Sequence, residues 1–122
     1  MSTGYSLSQG KIMAAQFEIK KAKNGQFYFN LKAANGETVL TSEQYTSKAG
    51  CKNGIASVQK NAGSDDRYEH KTAKNGKHYF VLKAGNHQVI GNSEMYETLP
   101  ASNKGVAGVK KAAGIAKVTD EA

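Results

Sequence analysis

One segment occurs twice in the chain, and this repetition constrains the fold more than any other feature. The residues from Lys23 to Ala33 return without a gap, 51 positions later, as the residues from Lys74 to Ala84. When residues 16–63 are aligned with residues 67–114, 21 of the 48 positions are identical, far more than chance gives. A unit of this size is too small to bury a core of its own, so we expect the two copies to share one.

The repeat divides the chain into three segments that form one structural domain. Residues 1–14 show little apolar periodicity and are predicted to be a mobile N-terminal tail. A start at Met13 would give a complete repeat protein, so residues 1–12 are interpreted either as the result of an alternative translation start or as an added leader. Residues 15–63 form the first repeat. Residues 64–119 form the second repeat and include the connection between the two.

Charge and cysteine content restrict the compartment and the partners. The chain has 122 residues, 17 lysines and arginines against 10 acidic residues, and one cysteine, so no intramolecular disulfide can form. This composition fits a reducing compartment, and no apolar run reaches membrane-spanning length, so we predict a soluble, cytoplasmic protein. Arg67 is the single arginine, and a lysine-rich surface is typical both of polyanion binding and of simple solvation.

The first repeat is predicted to contain three strands and a helix. Residues 17–20, 27–33 and 37–41 form the strands, and Gly25 and Gly36 each end a three-residue turn with positive φ. This register places Ile19 opposite Phe29, and Leu31 opposite both Phe17 and Val39. The inner face is then Phe17, Ile19, Phe27, Phe29, Leu31, Ala33 and Val39, and the outer face is Glu18, Lys20, Tyr28, Asn30, Lys32 and Leu40.

A helix follows the strands in each repeat. Thr46 and Ser47 offer an N-cap for a helix over 49–62, whose buried stripe is Cys51, Ile55, Val58 and Ala62. In the second repeat the strands are predicted over 68–72, 78–84 and 88–91, with positive φ at Gly76 and His87, and Thr98 caps the helix. Val106, Val109 and Ala113 form its buried stripe, and residues 115–119 are predicted to form a last strand.

The chain resembles the YegP-like family of small bacterial proteins, a domain of unknown function often built as tandem repeats. The resemblance rests on F-x-F-x-L-K-A-x-N at 27–35, on S-E-x-Y at 42–45 and 93–96, and on the helix segment 48–58. It implies an α+β fold of tandem β-β-β-α-β repeats. These form one largely antiparallel sheet with two helices on one face, and C-terminal strands are exchanged between the repeats. The resemblance implies no activity, cofactor or catalytic residue.

Two sets of residues are candidates for a functional role. In the repeated signature, the tyrosines pack at the helix entrance and the glutamates lie near the helix N-terminus, which favours a structural role over a polar binding feature. Tyrosines and lysines on the outer face suit a protein partner, including self-association, or single-stranded nucleic acid, and they are also common on a solvated sheet face that binds no ligand. Leu40, Val81 and Val89 on the same face indicate partial cover. The signature residues are Ser42, Glu43, Tyr45, Ser93, Glu94 and Tyr96. The candidate binding face is Lys20, Tyr28, Lys32, Lys71, Tyr79 and Lys83.

The residue types that most often carry chemistry do not converge in the sequence. His70 and His78 are expected on the inner face without a third ligand, so no metal site is predicted. Cys51 is expected in the core, and the paired carboxylates of Asp65 and Asp66 lie in the connection between the repeats. We therefore predict a non-enzymatic interaction module without a cofactor. Its partner remains open, and weak, sequence-tolerant nucleic-acid binding is the alternative.

Overall fold

A computed structural model describes residues 14–122 of the chain, so all but the last residue of the expected N-terminal tail lies outside the described residues. The first repeat contributes three strands and a helix, and a short 3-10 turn leads into the second repeat. The second repeat contributes three strands, a helix and a final strand. In chain order these are β1 (Gln16–Lys21), β2 (Phe27–Lys32), β3 (Thr38–Ser42), α1 (Lys48–Asn61), the turn Asp65–Arg67, β4 (Tyr68–Thr72), β5 (His78–Lys83), β6 (Val89–Asn92), α2 (Leu99–Ile115) and β7 (Lys117–Asp120).

The seven strands form one sheet in the order β4-β5-β6-β3-β2-β1-β7. All neighbours are antiparallel except β1 and β7, which are parallel. The repeats join where Thr41 pairs with Asn92, and these two residues hold equivalent positions in the repeat. A pseudo-two-fold axis therefore passes through this pair. The α+β fold of tandem repeats with a largely antiparallel sheet is confirmed.

Strand exchange between the repeats takes place in one direction only. The last strand of the second repeat, β7, pairs with β1 of the first. The equivalent residues after α1, at 66–69, instead form the end of the 3-10 turn and the start of β4. The expectation of two exchanged strands is therefore half right, because the connection after α1 continues directly into the second repeat and leaves no separate strand.

Four tight turns adopt the backbone conformation that their sequences predict. Gly25, Gly36 and Gly76 have φ of 87°, 86° and 84°, and His87 has φ of 70°. The first turn then sets the register of its hairpin, with Phe17 opposite Leu31 and Ile19 opposite Phe29, as predicted. The left-handed region is open to glycine at no steric cost, and histidine is among the residues that tolerate it best.

The predicted register of the second hairpin is wrong beyond its first pair. Lys32 pairs with Thr38 as expected, but Leu31 then pairs with Leu40 and not with Val39. A β-bulge inserts Val39 as an extra residue and shifts the alternation that follows. As a result Leu40, which was expected on the outer face, is fully buried in the core together with Val39.

Both helices pack on the inner face of the sheet. Ser47 caps α1 by accepting a hydrogen bond from the Gly50 amide at 3.0 Å, and Thr98 caps α2 in the same way through the Ala101 amide at 3.2 Å. Cys51, Ile55 and Val58 of α1 are buried in the common core, as predicted. Within residues 14–122, neither helix is long and apolar enough to span a bilayer.

Candidate functional site

The outer sheet face is the one that neither helix covers. Lys20 lies beside Tyr28 across β1 and β2, and Lys71 lies beside Tyr79 across β4 and β5. Because these pairs are equivalent in the two repeats, the face carries the same arrangement twice. The strands β2 and β5 are separated by β3 and β6, which corresponds to a distance of about 14 Å between the two strand axes.

In the first repeat, the lysines of this face surround one carboxylate. Glu18 Oε1 lies 3.6 Å from Lys20 Nζ and 3.2 Å from Lys32 Nζ. Glu18 is only 8% exposed, whereas both lysines are half-buried. We call Glu18, Lys20, Lys32 and Tyr28 the first outer cluster.

The second repeat builds the same cluster around Glu69. Its carboxylate binds Lys83 closely and lies 3.8 Å from Lys71 Nζ. The hydrogen bond from Lys83, followed by the charge of Lys71, lowers the pKa of the Glu69 carboxyl below its ordinary value. We call Glu69, Lys71, Lys83 and Tyr79 the second outer cluster. Unlike Glu18, Glu69 is exposed, because no strand within residues 14–122 lies on the other side of β4.

Each outer cluster therefore carries a net positive charge beside a half-buried tyrosine. Two lysines face one glutamate, so one positive charge is uncompensated in each cluster. Tyr28 and Tyr79 are each partly exposed and lie opposite Lys20 and Lys71. Such mixed surfaces contact proteins readily, because tyrosine supplies apolar area and a hydrogen-bonding group together.

Of the three apolar residues predicted on the outer face, two lie there and only one of these is exposed. Val81 lies opposite Glu69 and Asn92 and is 6% exposed, and Val89 lies opposite Lys83 and is 37% exposed. Leu40 does not belong to this face, as the β-bulge directs it into the core. The outer face therefore has less exposed apolar surface than predicted.

The repeated signature makes the same contacts in both copies. Ser42 Oγ accepts a hydrogen bond from the Phe29 amide at 2.8 Å and donates to the Glu43 carbonyl at 2.7 Å. Ser93 repeats both contacts, with the Phe80 amide at 2.9 Å and the Glu94 carbonyl at 2.8 Å. These bonds fix the strand-to-helix connection against the middle strand of each repeat.

The signature tyrosines lie over glycines of the helices. Tyr45 packs against Gly54 and Tyr96 against Gly105, so closely that a Cβ at either glycine would meet the ring. Burial raises the pKa of both tyrosine hydroxyls above the ordinary value. The signature glutamates, Glu43 and Glu94, are exposed.

In the part of the chain that the structure describes, the remaining histidine, cysteine and aspartate candidates do not form a common site. His70 Nδ1 lies 3.4 Å from Ser102 Oγ on α2, and His78, the first residue of β5, is half-buried and pairs with Thr72, two residues along β4 from His70. Within residues 14–122, no three histidine, cysteine or acidic side chains come together to bind a metal ion. Cys51 is buried, and burial raises the pKa of its thiol. Asp65 binds Lys110 of α2.

Glu18 and Glu69 were not predicted to belong to the candidate site. The sequence places Glu18 on the outer face, but the lysines and tyrosines drew attention because their chemistry suits a ligand. A signal was present, since glutamate recurs at the equivalent position of both repeats. The two glutamates decide how much free positive charge the face presents.

One sheet built from two repeats, with both helices on one face, defines a class of small tandem-repeat proteins. Sequence comparison shows the family to which the chain belongs. The domain of unknown function DUF1508 matches the chain twice, over residues 22–69 and 73–120. The UPF0339 protein YegP of Shigella flexneri is 58% identical over 98 residues, covering 80% of this chain and 89% of the relative. A UPF0339 protein of Acinetobacter baylyi is 54% identical over 108 residues, covering 88% and 97%. The chain belongs to the DUF1508 family of YegP-like proteins.

Two solved structures share the fold. The solution NMR structure of yegP from Escherichia coli, described as a protein of unknown function, matches with a TM-score of 0.84 at 54% identity. The match covers 90% of this chain and 95% of that one. The solution NMR structure of a UPF0339 protein from Shewanella oneidensis matches with a TM-score of 0.82 at 47% identity, covering 88% and 92%.

Proposed function

We propose that the protein is a non-enzymatic, cytoplasmic interaction module that binds an acidic surface of another protein through its outer sheet face. The observation that supports this proposal is the pair of equivalent outer clusters on a face that neither helix covers. Each cluster offers one uncompensated positive charge and one half-buried tyrosine. A partner with two carboxylate groups at the matching separation complements both clusters at once.

Charge also argues against the other occupants of this face. A second copy would bring one positively charged face against another, on a chain with a formal net charge of +7. Single-stranded nucleic acid, the alternative, needs aromatic rings with exposed faces for stacking and lysines free to replace counterions. Here the rings are half-buried, and a glutamate in each cluster offsets one of its two lysines, so that only two positive charges on this face are left for phosphates.

Site-specific photo-cross-linking in living cells tests the proposal. A photoreactive phenylalanine analogue replaces Tyr28 in one variant and Tyr79 in another. Controls carry it at Lys60 and Lys111, which are exposed and equivalent residues of the two helices. We expect protease-sensitive, nuclease-resistant adducts from the two tyrosine positions and not from the controls. Adducts that nuclease removes favour the nucleic-acid alternative, and equal adducts at all four positions contradict a binding face.

A matched pair of charge variants identifies the contribution of the lysines. Changing Lys32 and Lys83 to alanine removes one lysine from each outer cluster. Changing Lys60 and Lys111 to alanine removes the same net charge elsewhere. The cross-linked adduct should be lost in the first double variant and retained in the second. A fluorescent oligothymidylate titrated over a salt series tests nucleic acid directly, because such binding weakens steeply as salt rises.

A further inference from the structure

The first strands of the two repeats, β1 and β4, differ in whether a further strand lies beside them. The strands β1 and β4 hold equivalent positions, yet β1 is covered by β7 while β4 forms an edge of the sheet within residues 14–122. The pseudo-two-fold axis thus maps the site of β7 onto an unfilled strand position beside β4. The way in which β7 pairs with β1 shows what kind of segment could pair with β4.

The inner side chains of β4 are less buried than those of β1, as expected if no strand covers β4. Phe17 and Ile19 on the inner side of β1 are fully buried. Their equivalents in β4 are Tyr68, which is half-buried, and His70, which is exposed. On the helix above them, Val106 is half-buried, whereas its equivalent Ile55 is buried.

A groove lies between the β4 edge and α2. Its volume is about 340 Å³, and it is lined on the strand side by Tyr68 and His70 and on the helix side by Asn103, Val106 and Lys110. Tyr68 is anchored there, since its hydroxyl donates a 2.6 Å hydrogen bond to the Ala62 carbonyl. The groove is open to solvent, and Asp65, which pairs with Lys110, and Ala107 complete its lining.

Backbone groups of β4 are available for a further strand. In an antiparallel pair, alternate residues direct their N–H and C=O groups to the partner and the others direct theirs away. The Ala73 amide bonds the Lys77 carbonyl, so the groups of His70 and Thr72 point away from β5. In β1, the equivalent Ile19 carbonyl accepts a 2.8 Å hydrogen bond from Glu121 after β7.

The strand that fills the equivalent site shows which side chains face the helix. Val118 lies beside Phe17 and Asp120 beside Ile19, so both point to the inner side. Asp120 forms an ion pair with Lys48 at the start of α1, with 2.9 Å between Oδ2 and Nζ. A segment on β4 therefore presents its second and fourth residues to the groove.

The residues that contact the fourth position differ between the repeats, and this difference argues against a second copy of β7. The equivalent of Lys48 is Leu99, which is 46% exposed, and the equivalent of Lys52 is Asn103. The aspartate of a second copy would thus lie beside a leucine with no lysine to pair with. An apolar side chain fits this position better, because it covers Leu99.

We propose that the β4 edge binds an extended peptide segment of another protein, which adds parallel to β4 with apolar side chains at its second and fourth positions. Backbone hydrogen bonds to the β4 edge hold the segment, and the groove below α2 receives its two apolar side chains. This mode of binding reads alternate residues of the segment and tolerates variation at the others.

A designed peptide and NMR spectroscopy of the isotope-labelled full chain test the proposal. The probe is a capped peptide that copies residues 115–121 with the change Asp120→Leu. We expect saturable shifts of amide signals in β4 and in the first half of α2, and weaker binding by the same peptide with aspartate retained. Shifts centred on β1 and β7, which report displacement of the chain's own strand, overturn the proposal, and so does the absence of saturable binding.

Two variants of His70 separate the backbone contact from the side chain. His70→Pro removes an outward N–H at an edge position where proline is tolerated, whereas His70→Val keeps it. The proline variant should bind the probe at least about tenfold more weakly than the valine variant, through loss of a hydrogen bond and steric block. Equal affinities overturn the proposal.

A spin label at the peptide N-terminus reports the strand direction on the unaltered chain, so the test does not depend on the variants folding. Parallel addition broadens signals near Arg67 and Tyr68, and antiparallel addition broadens those near Thr72. Broadening near Thr72 overturns the parallel arrangement. Concentration-dependent shifts of β4 without peptide identify a second copy as the occupant and overturn the proposal.

Discussion

The carboxylate of Asp120 lies 2.9 Å from the ammonium group of Lys48, and this ion pair joins the last strand of the second repeat to the first helix of the first repeat. The hydrogen bond from Lys48, together with one from the Ala122 amide, lowers the pKa of the Asp120 carboxyl. Within residues 14–122, this ion pair and the hydrogen bond from Thr119 Oγ1 to Gln16 Oε1 are polar side-chain contacts that hold the four-residue strand β7.

The pair makes the docking of β7 dependent on pH. Since the folded-state pKa lies below the ordinary value of 3.8, the stabilisation is fully present above that value. It is lost as the pH falls through the folded-state pKa. The protection factors of the Lys117 and Glu121 amides, which correct the exchange rate for its intrinsic pH dependence, should therefore fall on acidification before those at the centre of the sheet. In Lys48→Met the Asp120 pKa, followed by NMR, should rise, whereas Lys60→Met at the other end of α1 should leave it unchanged.

Two glycines of α2 should respond to alanine in opposite directions. A Cβ at Gly105 would lie 2.7 Å from Tyr96 Cζ and 3.0 Å from Phe80 Cε2, so the tyrosine ring must move. We expect Gly105→Ala to lower the free energy of unfolding by about 1–3 kcal/mol. Gly108→Ala meets Val39 at an ordinary 3.5 Å and should stabilise the helix by about 0.5–1 kcal/mol. Chemical denaturation measures both, and destabilisation of similar size in both would contradict this account.

The effect on stability of replacing Gly25 in the first turn should come from backbone conformation alone. Nothing lies within 4 Å of a Cβ built at Gly25, so a clash is not expected, but its φ is 87°. Gly25→Val should cost about 1–2 kcal/mol of stability through strain in the left-handed region. Gly63→Val is the control, because that site is equally open and has no positive φ. It should change stability by less than about 0.5 kcal/mol.

The two faces of the sheet should differ in their sensitivity to truncation. Phe29 and Phe80 are fully buried, and replacing either by alanine should cost roughly 3–5 kcal/mol. Replacing Tyr28 or Tyr79 should cost about 1 kcal/mol or less, as these half-buried side chains contribute mainly cross-strand contacts. Thermal and denaturant unfolding of the four single variants gives the comparison. Equal losses would mean that the outer tyrosines belong to a packed core.

Neither repeat should fold as a monomer by itself. A chain that ends at Gly63 loses β7 beside β1 and β6 beside β3, which exposes both edges of a three-stranded sheet. We expect such a chain to be unfolded or to dimerise in imitation of the tandem. Light scattering and the dispersion of amide signals distinguish these states. A folded monomer with dispersed signals would contradict the shared core.

Local structure could be predicted from the sequence because its causes lie within a few residues of one another. The Asn-Gly turns set positive φ at Gly25 and Gly76, and this conformation fixed the first hairpin of each repeat. Ser47 and Thr98 marked the starts of the helices through their capping hydroxyls. The tyrosines and lysines of the candidate face followed from strict alternation along the predicted strands.

Only the tertiary structure decided the features that depend on distant strands. The β-bulge that buries Leu40 lies in β3, the strand that pairs with β6 of the second repeat, and a Cβ on Gly91, the equivalent of Leu40, would lie 2.6 Å from the Thr41 carbonyl oxygen. Glu18 is buried beside β7 while Glu69 is exposed in β4, although each of them contacts an equivalent pair of lysines. Burial is set by which strand lies alongside, and the strand that covers Glu18 is about a hundred residues away in the chain.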